Sequence, residues 1–158
     1  MLGSLARWLR MLGYVTEYDS KADDTNLLQR SNDPDAILLT RDEELHDRAV
    51  ARKVHCVLVL GGNEETRLGQ LARTLGISLE IDMSATRCPE CGSELHEITR
   101  EEAVSTVPAK SLKLYDRFWR CTKGECGKTY WVGSHWNQIR HTLEEARKMM
   151  SSEMDMKC

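Results

Sequence analysis

Two hydrophobic rhythms alternate along the first half of the chain. In "LGSLARWLRMLG", Leu2, Leu5, Leu9 and Leu12 recur every three or four positions, which predicts a helix that Gly13 can close. "YVTEY" then predicts a short strand, and "DDTNLLQRS", opening on two acids, a short helix. The continuous apolar runs "AILLT" and "VHCVLVL" predict buried strands, separated by the helical stretch "RDEELHDRAVARK". After a Gly61-Gly62 turn, "NEETRLGQLARTLG" predicts a helix capped by Asn63 and ended by Gly76. Continuous apolar strands alternating with helices indicate α/β architecture, a parallel sheet flanked by helices on both faces. A sheet of this kind normally opens with a strand, whereas this chain opens in a helix, so the first strand is expected to be missing.

The rhythm changes near residue 84. From "RCPECGSEL" to "WRCTKGECGKTYWVGSHW" there are short strands, knuckle turns and no long apolar helix. "SHWNQIRHTLEEARKMM" predicts a C-terminal helix capped by Ser134. The expected organisation is an α/β domain over 1–82, a small module with the C-terminal helix over 83–150, and a frayed tail over 151–158.

Charge sharpens this division. The net charge of −3 comprises −4 over 1–82 and +1 over the remainder. Between 106 and 140, seven basic residues face two acidic ones, a local excess that suits a solvated surface or a phosphate backbone. No run reaches the ~18 apolar residues of a membrane span, and "MLGSLARWLRML" has no signal-peptide cleavage site, so a cytoplasmic protein is expected.

Six cysteines include two close pairs, Cys88/Cys91 and Cys121/Cys126. In an intracellular chain such pairs favour zinc over disulfides, and four thiolates would close a tetrahedral, structural shell. Gly92 and Gly127 suit the tight turns required. Cys56 reads as a small core residue, and Cys158 has no assigned role. The aromatics of this module, Tyr115, Phe118, Trp119, Tyr130, Trp131 and Trp136, fit packing over the zinc site or, alternatively, stacking on single-stranded bases.

Asp19, Asp23, Asp24 and Asp42 fall where strands of a parallel sheet would end, the usual ligand crevice. Converging carboxylates there would hold Mg²⁺ or Mn²⁺ for phosphodiester cleavage. Helix-start chemistry explains them equally: "TRDE" fits a capping box with Thr40 as N-cap and Glu43 at N3, and Asp23 or Asp24 can cap the helix after it.

Taken in order, "MLGSLARWLRMLGY", "ILLTRDEEL", "RCPECGSEL" and "YDRFWRCTKGECGKTYWVGSHW" resemble the Mut-7 C-terminal RNase domain family, PIN-like domains joined to a zinc ribbon. The resemblance spans roughly residues 1–145. It implies a PIN-like fold, metal-dependent RNA cleavage, and zinc on Cys88, Cys91, Cys121 and Cys126. It places the acidic positions on Asp24, with Asp23 beside it, and on Asp42, as ligands of catalytic Mg²⁺ or Mn²⁺. Arg7 and Arg41 fall in its motifs and, with Lys113, Arg117, Arg120 and Lys128 of the basic module, are candidate RNA contacts. Family members normally carry a strand ending in aspartate before the first helix; that strand and its acid are expected to be missing here, either because the recorded start is too late or because this is a truncated form. The competing expectation is therefore a non-catalytic RNA-binding or adaptor protein with a degenerate PIN-like domain.

Overall fold

The computed structural model describes residues 2–156. Helix α1 (Gly3–Met11) buries Leu5 and Leu9 along one stripe that its C-cap, Leu12, continues, as their spacing requires. Helix α2 (Asp24–Arg30), strand β1 (Leu38–Thr40), helix α3 (Glu43–Ala51), strand β2 (Cys56–Leu58) and helix α4 (Glu64–Leu75) follow. Strands β1 and β2 pair in parallel, Leu38 with Cys56 and Thr40 with Leu58. Side chains alternate across this ribbon and meet two separate cores. Leu38 and Cys56 pack with Leu28, Leu45, Ala49 and Val54 beneath α2 and α3. Leu39, Val57 and Val59 pack on the opposite face, with Leu5, Leu9, Leu68 and Leu71 of α1 and α4. Both faces are thus covered by helices, as the unbroken apolar runs predicted.

Residues 14–18 form no strand. The segment is held elsewhere: its Thr16 carbonyl accepts from Arg10, and the Tyr14 side-chain hydroxyl accepts from the Ser78 amide. The helix after β1 also starts differently from the capping-box expectation. Thr40 remains in the ladder, its carbonyl accepting from Val59 at 2.7 Å, so it is not free to begin a helix. Asp42 is the N-cap instead, its Oδ1 accepting from the Leu45 amide at 3.1 Å, while the Thr40 hydroxyl accepts from the Asp42 amide. Asn63 caps α4 and Gly76 closes it with a left-handed φ of 70°, as expected.

The second region is a three-stranded antiparallel sheet, β3 (Leu95–Ile98), β4 (Phe118–Cys121) and β5 (Thr129–Tyr130), in that spatial order. Two short helices, α5 (Arg100–Ala103) and α6 (Ala109–Leu114), fill the connection between β3 and β4. Their neighbourhood supplies a third core, in which Ile98, Ala103 and Val107 surround the fully buried Phe118. Helix α7 (Trp136–Met156) begins two residues beyond Ser134, its first turn closed onto the carbonyls of Gly133 and His135. It follows the small sheet in sequence but packs against α4: Leu143 and Ala146 join the core of Leu68, Leu71 and Ala72. It also runs to Met156, through much of the expected tail; residues 157 and 158, including Cys158, lie outside the described residues.

Candidate metal centre and acidic edge

Four cysteines from two turns meet in one place. The Cys88 carbonyl accepts from the Gly92 amide and the Cys88 amide donates to Ser93, folding the first turn back on itself. In the second, the Lys123 carbonyl accepts from both Cys126 and Gly127. The sulfurs of Cys88, Cys91, Cys121 and Cys126 all lie within 4.8 Å of one another, with Cys88 3.7 Å from Cys126 and Cys91 3.4 Å from Cys121. A tetrahedron with Zn–S bonds of about 2.3 Å has edges of about 3.8 Å, so the spacing and the all-sulfur donor set fit a metal such as zinc. Among the described residues this is the one group of three or more Cys, His, Asp or Glu ligand atoms gathered so closely.

The four sulfurs also perturb one another's ionisation. Burial and the neighbouring thiols push Cys121 up to about 12. The Lys128 amide favours the Cys126 thiolate, but burial and Cys88 together raise this thiol too. Burial also opposes ionisation of Cys91, but hydrogen bonds from the Ser93 hydroxyl and amide, Cys121 and Cys88 bring it down to about 6. Crowded sulfurs cannot all ionise alone, and a divalent cation removes that restriction. Tyr130, a residue that reads as simple core packing, places its hydroxyl 3.1 Å from Cys88 Sγ. Burial, then this contact, hold its phenol well above the usual range.

Sequence reasoning missed the residue that joins the two regions. Arg10 is buried on α1 and donates to the carbonyls of Thr16, Pro89 and Glu90. The available signal was its place four residues after Ala6, within the apolar stripe.

The carboxylates are more dispersed. Asp42 lies exposed just beyond the carboxyl end of β1, its Oδ1 capping α3. Asp23 caps α2, accepting from the Asn26 amide at 2.8 Å. Asp24 pairs with Arg48 of α3. Asp19 accepts from the Lys21 amide in its own turn. Most basic candidates have protein partners. Arg7 pairs with Glu90 at 3.4 Å and Lys128 with the same carboxylate at 3.6 Å. Arg41 donates to the Gly61 carbonyl, where Arg67 also donates. Arg117 binds Glu97 through two hydrogen bonds and covers the Trp119 ring at 5.1 Å; Arg120 donates to the Glu102 carbonyl. Lys113 lies exposed on α6.

Residues 1–143 match the Mut7-C RNAse domain. The chain belongs to the Mut7-C RNAse domain family. No curated relative and no solved structure matches. Membership makes ribonuclease chemistry the coarse functional assignment and RNA the implied substrate or partner. No helix among the described residues is long and apolar enough to cross a membrane.

Proposed function

We propose that this member of the Mut7-C RNAse domain family is a cytoplasmic, PIN-like ribonuclease that cleaves RNA phosphodiesters with Mg²⁺ or Mn²⁺ held by carboxylates. The PIN-like unit would span 1–82 and the zinc ribbon would begin at 83, its zinc structural because four cysteines leave no open ligand position. Asp42 carries the reading: it stands exposed at the carboxyl end of a parallel strand, and its helix cap engages Oδ1 alone. Asp42 and Asp24, with Asp23 beside them, would hold the catalytic ion. That ion would orient an attacking water and stabilise the departing oxygen. Arg41, the residue before Asp42, would meet a phosphate. The ribbon would assist with Lys113, Arg117, Arg120 and Lys128, joined by Arg7 of α1, and a depression lined by Tyr115, Asp116, Arg117 and Trp119 offers RNA aromatic and basic groups beside one carboxylate.

The test compares cleavage of labelled single-stranded RNA in Mn²⁺ by the wild type and Asp42→Asn. Asparagine caps a helix as well as aspartate, so the substitution removes charge without removing the cap. The expected loss is at least about a hundredfold, the upper range for ligand-supporting groups. Equal cleavage by the two proteins would remove Asp42 from the mechanism.

A specific observation favours a second reading, a non-catalytic RNA-binding protein. Asp23, Asp24 and Asp42 all serve protein partners already. That protein would show no Mn²⁺-dependent cleavage, and its RNA binding would weaken steeply with salt and survive Asp42→Asn.

A further inference from the structure

Arg10 is only 8% exposed, yet its hydrogen-bond partners are three backbone carbonyls rather than a carboxylate. Nη1 donates to Pro89 at 3.0 Å and to Glu90 at 3.3 Å, the two residues between the ligands Cys88 and Cys91. Nε donates to Thr16 at 3.0 Å, in the segment that runs from α1 to Asp23 and Asp24. Gly92 permits this approach: its φ is +81°, and a Cβ there would lie 3.1 Å from Arg10 Nε and 3.3 Å from the Thr16 oxygen. Backbone follows side chain, with the Arg87 amide donating to the Arg10 carbonyl at 2.9 Å and the Thr86 hydroxyl to Met11 at 3.0 Å.

A buried guanidinium bound to neutral carbonyls is unfavourable unless countercharge is near. A metal-loaded cluster supplies it, because four thiolates outweigh the charge of a divalent ion. The ion also fixes the turn on which the Pro89 and Glu90 carbonyls ride. We propose that Arg10 makes order in segment 14–23 conditional on metal loading of the four-cysteine cluster. The ion fixes the knuckle carbonyls, these fix the guanidinium, and the guanidinium fixes Thr16. The ribbon then organises the approach to Asp23 and Asp24 as well as its own fold. This holds whether or not those acids cleave RNA.

Hydrogen exchange of the full chain, loaded with Zn²⁺ and then chelated, tests it. In the wild type, chelation should speed exchange of amides 14–23 on the order of tenfold, a usual size for coupling between sites. In Arg10→Gln those amides should exchange fast with zinc bound, and chelation should change them less than about twofold. Zinc affinity, measured by competition with a chromophoric chelator, should fall about 10- to 100-fold in that variant. Arg7→Ala, which removes an exposed ion pair to the same turn, should leave exchange of 14–23 and zinc affinity at their wild-type values. The proposal is overturned if chelation frees the knuckle amides of wild type and leaves 14–23 unchanged. It is also overturned if Arg10→Gln loosens the segment with zinc affinity intact, since that is a packing role alone. If Arg10→Gln does not fold, the wild-type comparison decides, because it needs no substitution.

Discussion

Asp42 shows how one carboxylate can serve two purposes. One oxygen satisfies an otherwise unpaired amide at the start of α3, and the negative charge sits at the favourable end of that helix. Removing both contributions with Asp42→Ala should lower unfolding free energy by about 1 kcal/mol, while Asp42→Asn should keep most of it. Urea denaturation of both variants checks this; equal destabilisation would mean that charge, not the cap, sets the helix start. The residue itself was legible in "TRDE", but its job at the helix start was not. Threonine and aspartate both cap well, and only the pairing of Thr40 with Leu58 settles which of them does. Arg10 was hidden for a related reason. A charged residue on an apolar stripe announces burial, but its acceptors lie 79 and 80 residues away.

At the level of elements, local signals succeeded where the pattern was long or its punctuation strong. Strands β1 and β2 came from unbroken apolar runs, and α4 from Asn63 and Gly76. "YVTEY" failed because a strand needs a partner edge, and its backbone is held by Arg10 instead. Helices α5 and α6, of four and six residues, are shorter than two helical turns, so no period could reveal them. The partner of α7 was equally unreadable, because a helix following the ribbon in sequence docks on α4 in space. Gly69 makes that docking close: a Cβ there would lie 3.0 Å from the Ala146 carbonyl oxygen and 3.1 Å from the Met149 Cβ. Gly69→Val would force the helices apart and should cost about 1–3 kcal/mol, the usual penalty for overpacking. Thermal unfolding reads this out; a variant as stable as wild type would show that α7 adjusts without loss.

For the whole molecule, metal loading and pH are linked through the sulfurs. Before metal binds, Cys121 is pushed up to about 12 and Cys126 lies above its ordinary 9.0, so both hold protons near neutrality, while Cys91 is brought down to about 6. Thiolate is the ligand form, so zinc must displace at least those two protons between pH 6 and 9. Higher pH therefore favours loading, and lower pH favours release. Each proton displaced changes affinity tenfold per pH unit, giving about a hundredfold per unit or more across that window. The stabilisation that zinc confers on the folded chain should shrink in parallel as pH falls, since ligand-linked stability follows affinity at a given free metal concentration. Isothermal competition at several pH values, together with proton release followed by an indicator dye, measures both sides of the linkage. An affinity that stays flat from pH 6 to 9 would mean that the sulfurs are already ionised before metal binds. The Arg10 guanidinium, which reaches the knuckle from α1 through the Pro89 and Glu90 carbonyls, would then be the first positive charge to test as the group neutralising them.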